Sequence, residues 1–182
     1  MASLRAALLG VVVGLGGAQG SAAYAAALFA FQEQVGDVVG TLSGFLDLTG
    51  LAGQTGFSIA NAAFLPGDAI MISGEPGGVA ATGYLVTGPG SIGTDTVAVP
   101  TRSGMAFALS TSVLFLDSSY ETGAPISGSM LFSGATLASL GVTPGDHVWT
   151  LGNGETFTLR FTTAPAAVPA PASLPVLLGA LG

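Results

Sequence analysis

Cysteine and lysine are both absent from this 182-residue chain, and its only basic side chains are Arg5, Arg102 and Arg160. Without cysteine there is no disulfide framework, no thiolate metal ligand and no cysteine nucleophile, so burial and strand pairing must hold the fold. Without clustered lysine and arginine nothing can displace counterions from a phosphate backbone, which excludes nucleic acid as a partner. Charge of either sign is scarce, at 7% of residues against roughly a quarter in an average soluble domain. Ten acidic residues bring the net charge to −7. Once a leader containing Arg5 is removed, two basic residues face ten acidic ones, 2 − 10 = −8. Histidine occurs once, at His147. A two-histidine metal site is therefore impossible, and a Ser–His–acid triad would have to use that one residue.

What the chain does contain is apolar and small. Hydrophobic residues make up 49%, much of it Ala and Val, with 29 Gly and 10 Pro. That composition opposes a helical protein and favours short strands separated by turns. Recurrent Phe, Leu, Val and Ile at low charge distinguish it from a disordered chain.

Two strands are legible from strict alternation. In Met105–Phe115, the residues Met105, Phe107, Leu109, Thr111, Val113 and Phe115 share one face of a single half-buried strand. In Thr156–Thr163, Phe157, Leu159 and Phe161 point one way, and Thr156, Thr158, Arg160 and Thr162 the other. Weaker strands are expected at Gly40–Leu48, Gly56–Ala63, Ala69–Ser73, Ala80–Val86, Met130–Phe132 and His147–Leu151. A brief helical segment fits Gly134–Leu140. Pro66-Gly67-Asp68 and Pro144-Gly145-Asp146 read as turns, with Pro at the second position and Gly at the third. The expected fold is all-β: a single antiparallel β-sandwich or jelly-roll-like domain over 26–163.

The two ends read as processing signals. At the N-terminus (1–25), Arg5 precedes an apolar run, Ala6 to Leu15, and small residues follow, so a signal helix is expected. Ala23-Tyr24-Ala25 marks the expected cleavage region for signal peptidase. The run is about ten residues, half of what a spanning helix needs. At the C-terminus (164–182), an Ala/Pro spacer leads into an apolar tail. Leu174 to Gly182 would reach about 14 Å as helix, against a bilayer core of about 30 Å.

That tail contains Val168-Pro169-Ala170-Pro171-Ala172, followed by Ser173-Leu174-Pro175 and an apolar stretch. It resembles the Val-Pro-x-Pro-Ala form of the PEP-CTERM sorting domain. The stretch from Ser127-Gly128-Ser129-Met130-Leu131-Phe132 to Thr143-Pro144-Gly145 and Trp149 is similar to bodies often attached to such tails, which have no known activity. The resemblance implies export in a Gram-negative bacterium, transient association with the inner membrane, and cutting by an exosortase-type protease. Display at the cell surface or release into an extracellular polysaccharide or biofilm matrix would follow. The family's tail closes with a full transmembrane helix and an Arg-rich cluster. Here the helix is half-length and the cluster missing, so the tail is expected to be truncated or impaired.

For chemistry within the body, the expectation is no catalysis and no cofactor. His147 follows a turn and precedes Val148-Trp149, a strand-start position, and no serine lies in a Gly-x-Ser-x-Gly elbow. Asp117, Glu121 and Asp146 could offer oxygen ligands to calcium, but they lack Asp-x-Asp-x-Asp spacing. Asp68 and Asp146 read more simply as turn residues bonding nearby amides. Tyr84, Tyr120 and Trp149 could form an aromatic platform for a polysaccharide, or belong to the core. Two functions follow: a structural surface or matrix protein, or a secreted polysaccharide-binding β-module.

Overall fold

The structure, a computed structural model, describes residues 26–163. In chain order the strands are β1 (Ala26–Gln34), β2 (Asp37–Gly44), β3 (Gln54–Ile59), β4 (Ala62–Leu65), β5 (Ile70–Ser73) and β6 (Val79–Thr87). They continue as β7 (Thr101–Gly104), β8 (Phe107–Leu109), β9 (Val113–Asp117), β10 (Gly128–Ser133), β11 (Gly145–Leu151) and β12 (Thr156–Thr162). One 3₁₀ turn, Pro66–Asp68, separates β4 from β5. All twelve strands join in one sheet ordered β4-β5-β8-β9-β6-β11-β12-β1-β2-β10-β7, with β3 paired to β6 off that path.

The sheet curls until its two ends meet, giving a nearly closed, barrel-like β-structure. Phe64 in β4 and Ala98, just ahead of β7, exchange backbone hydrogen bonds of 2.8 and 3.0 Å. Arg102 in β7 then clasps the other side of the seam. Its Nε donates to Ser73 Oγ at 3.1 Å and its guanidinium pairs with Glu75 at 2.8 Å, while a further N–H meets the Gly104 carbonyl. Closure of this kind removes the open strand edges that a sheet otherwise presents.

The enclosed space is filled by phenylalanine. Phe31 stacks on Phe161 across β1 and β12, with ring centroids 4.8 Å apart, and Phe29 meets Phe107 edge-on at 5.7 Å. Phe64 bridges Phe132 and Phe161 at 5.6 and 5.9 Å. These contacts link strands far apart in the sheet order, so the aromatic cluster holds the curl together through burial plus favourable ring geometry.

The all-β expectation holds, and the alternation of Thr156–Thr163 is reproduced: Phe157, Leu159 and Phe161 are buried and Arg160 is exposed. Three details differ. First, β1 lies parallel to β12, with Phe31 opposite Phe161, so the sheet is not purely antiparallel. Second, Met105–Phe115 is not one strand. It folds at Ser110–Ser112 into the hairpin β8–β9, in which Ala108 opposes Phe115 and Leu109 opposes Leu114. Ser110 drives the reversal: its backbone N–H donates to the Val113 carbonyl at 2.9 Å, and its hydroxyl accepts from the Val113 N–H at 3.2 Å. The fold thereby buries Phe107, Leu109, Leu114 and Leu116 and sends Val113 and Phe115 outward. Third, Gly134–Leu140 forms turns rather than a helix, held by reciprocal bonds between Thr136 and Ser139. The signal region 1–25, including Ala23, Tyr24 and Ala25, and the tail 164–182, including Val168, Pro169, Ala170, Pro171 and Ala172, lie outside the described residues.

Candidate functional site

Three loops converge at one end of the sheet: the segment after β2, the segment after β9, and the turn between β11 and β12. Gly123 and Ile126 donate backbone bonds to Leu46 and Gly44, at 2.9 and 2.8 Å, which draws the first two loops together. At their junction the Tyr120 hydroxyl accepts from the Leu46 N–H at 2.8 Å and lies 3.0 Å from the carbonyls of both Leu46 and Ala124. Burial raises the Tyr120 pKa above the ordinary phenol value, opposed by the Leu46 hydrogen bond and reinforced by the negative charges of Glu155 and Asp47. The third loop is tied in by Asn153, whose side-chain amide donates to the Asp47 carbonyl at 2.7 Å.

Asp47 itself accepts from Thr49, and this hydrogen bonding holds its carboxyl below the usual carboxylate range. Glu155 is 7% exposed, and among the described residues its Oε2 has no hydrogen-bond partner. An open cavity of about 340 Å³ adjoins the junction, lined by Met105, Asp117, Tyr120 and Glu121 among others.

Tyr120 is thus a tether between the two loops. Tyr120→Phe should cost about 1–3 kcal/mol, because the buried Leu46 amide loses its acceptor. Urea unfolding of the variant measures this directly, and an unchanged midpoint would show that the hydroxyl holds nothing.

The other nominated aromatics are also committed to packing. Trp149 is completely buried and its indole N–H donates to the Ser110 carbonyl at 3.0 Å. Tyr84 packs against the core with part of its ring accessible. Of the two readings of these aromatics, core packing describes Trp149, while Tyr120 and Tyr84 are partly buried against the core.

His147 sits near the start of β11, as its sequence position suggested. Its Nε2 lies 2.8 Å from the Thr143 carbonyl, and its ring meets Phe161 edge-on at 5.9 Å. Of the calcium candidates, Asp117 and Glu121 line the same cavity, but Asp117 accepts from both the amide and the hydroxyl of Ser119. Asp146 is elsewhere and is not a turn residue bonding amides. It lies in β11 opposite Arg160, which donates to both of its carboxylate oxygens at 2.7 and 2.8 Å. Among the described residues no group of three His, Asp or Glu is placed to hold a metal ion.

The Arg160 hydrogen bond is the main reason the Asp146 pKa lies below its ordinary value. A depressed carboxyl stabilises the fold above its unfolded-state pKa, and that contribution is lost as pH falls through the folded value. Arg160→Gln should move the Asp146 midpoint back up, read by carboxyl-carbon NMR titration. A midpoint that stays low in the variant would assign the shift to another cause.

The loop junction escaped the sequence because Leu46 lies 74 positions from Tyr120, Asp47 lies 106 from Asn153, and they share no motif. The only local hint was the turn-rich context of Tyr120. Among the described residues no helix is long and apolar enough to cross a membrane. Comparison with known protein families, curated proteins and solved structures gives no match to this chain.

Proposed function

We propose that this chain is an exported structural protein of the cell surface or extracellular matrix, without catalytic activity, sorted through its C-terminal tail by an exosortase-type protease. The observation that carries the reading is Val168-Pro169-Ala170-Pro171-Ala172, placed six residues after the last strand ends at Thr162 and followed by an apolar run. The N-terminal arrangement supports it: Arg5, an apolar stretch and Ala23-Tyr24-Ala25 stand immediately before β1 opens at Ala26. A domain whose first and last strands pair with each other can be displayed whole while both flanking segments are processed. In the same reading, β11-β12-β1-β2-β10-β7 and β4-β5-β8-β9-β6 serve as the two layers of a sandwich around the aromatic cluster.

Cell fractionation of the producing bacterium tests this, using an antibody raised against 26–163. The expected result is domain at the surface or in the medium, with a longer precursor accumulating in the membrane when Pro169 and Pro171 are both changed to Ala. Cytoplasmic protein only, or identical processing of the Pro169→Ala/Pro171→Ala variant, would overturn the proposal.

A further inference from the structure

One buried charge in the domain is left without a counterpart. Glu155, the residue just before β12, is 7% exposed, and its carbonyl accepts from the Leu151 N–H at 2.9 Å, which fixes it at the hairpin end. Its Oε2 is sealed from solvent and, among the described residues, accepts no hydrogen bond. A carboxylate taken out of water without donors or a counter-charge is costly. The described residues hold no free cation to serve it. Arg102 is engaged with Ser73, Glu75 and Gly104, Arg160 is engaged with Asp146, and the chain has no lysine. His147 lies toward the other end of β11, opposite Leu159, with its Nε2 on the Thr143 carbonyl.

A second carboxylate belongs to the same junction. Asn153 bridges the two acidic residues: its amide donates to the Asp47 carbonyl at 2.7 Å, and its Oδ1 accepts from the Glu155 N–H at 3.2 Å. Burial raises the Tyr120 pKa, and the negative charges of Glu155 and Asp47 both raise it further, so the two side chains face one phenol. Asp47 is exposed, which leaves the junction a route to solvent. The Thr49 carbonyl lies 3.5 Å from the Asn153 amide, a contact weak enough to leave that oxygen available.

We propose that this junction binds calcium between the carboxylates of Glu155 and Asp47, with backbone carbonyl oxygen and water completing the shell. The counter-charge that the protein does not supply to Glu155 then comes from the ion. Every donor at the junction is an oxygen, which suits a hard cation and not one that needs imidazole or thiolate. The donors come from separate irregular loops, and calcium accepts such uneven geometry where magnesium demands a near-ideal octahedron. Two carboxylates make a weak site, with a dissociation constant of about 10⁻⁴–10⁻³ M, the range of extracellular modules. The acids that the sequence suggested for calcium, Asp117, Glu121 and Asp146, take no part.

Thermal unfolding of the full-length protein, followed by circular dichroism, tests the site. Calcium chloride is raised from about 10 μM to about 10 mM to span the expected range, with ionic strength held constant by sodium chloride so that screening is not read as binding. The expected result is a midpoint that climbs with calcium, returns to its starting value with EDTA, and responds less to magnesium chloride. Glu155→Gln keeps the size of the side chain and removes its charge, and should weaken the calcium response about tenfold or more. Asp47→Asn should do the same, and being exposed it carries the test should Glu155→Gln fail to fold. Asp117→Asn, in the neighbouring cavity, should leave the response intact. A parent whose midpoint ignores calcium, or a response undiminished in either Glu155→Gln or Asp47→Asn, overturns the proposal. So does a response lost in Asp117→Asn, which would move the ion to the cavity that Asp117 and Glu121 line.

Discussion

Trp149→Ala should lower stability by about 3–5 kcal/mol, the range for removing a large aromatic from a packed core. The indole is fully buried in β11, and its N–H is the donor to the Ser110 carbonyl at the β8–β9 turn. Truncation would therefore open a cavity and also strip a partly buried carbonyl of its donor. The surroundings cannot readily collapse into the space: a Cβ built on Gly88 would already lie 2.1 Å from the indole Cδ1. Against a total of about 5–15 kcal/mol for an ordinary domain, that loss is a large fraction. The urea midpoint should fall by about 2 M. A platform residue for an external sugar would behave differently, losing binding with little change in midpoint. A shift of under about 1 kcal/mol would thus contradict the core assignment.

Gly40→Val should be nearly as damaging, for the opposite reason. Gly40 lies in β2 directly opposite Phe31, and a Cβ there would come within 2.3 Å of Phe31 Cε1 and 2.8 Å of Phe29 Cε2. Neither ring has anywhere to go, since Phe31 is stacked on Phe161 and Phe29 is held against Phe107. Overpacking of this kind costs about 1–3 kcal/mol or more, while the better strand propensity of valine returns less than about 1 kcal/mol. A net loss of about 2 kcal/mol is expected from chemical denaturation. The double variant Gly40→Val/Phe31→Leu should lose less than the sum of the two single losses, because the two positions share one volume. Additive losses in the double variant would show that steric conflict with Phe31 is not the cause.

These two positions also show how far sequence carries for this protein. Trp149 shares a face with Leu151 in an alternating segment, so its core placement was one of two readings open from the start. Gly40 was readable only as the start of a strand, and its contacts were not, because the rings above it come from β1, whose Ala/Phe alternation adjoins the small residues expected to be cut by signal peptidase. Likewise, alternation over Met105–Phe115 reads as one strand because period-2 order says nothing about where the chain reverses. The reversal at Ser110 inverts which of Leu114 and Phe115 is buried. Without that inversion the outward placement of Phe115 and Val113 is invisible. Asp146 was misassigned, and the tethering contact of Tyr120 went unread, for a related reason: their partners, Arg160 and Leu46, lie on other strands or loops.

By itself the sequence determined the all-β class, the inward set Phe157, Leu159 and Phe161, and the lack of thiol chemistry. Those properties follow from composition or from a two-residue period, both of which are local. Tertiary structure alone decided the parallel pairing of β1 with β12, the clasp of Arg102 on Ser73 and Glu75 that draws the sheet closed, and the reversal at Ser110 that turns Phe115 outward. Each of these depends on which distant strand lies alongside, and burial of the shared phenylalanine cluster selects that arrangement from the many a period-2 pattern allows.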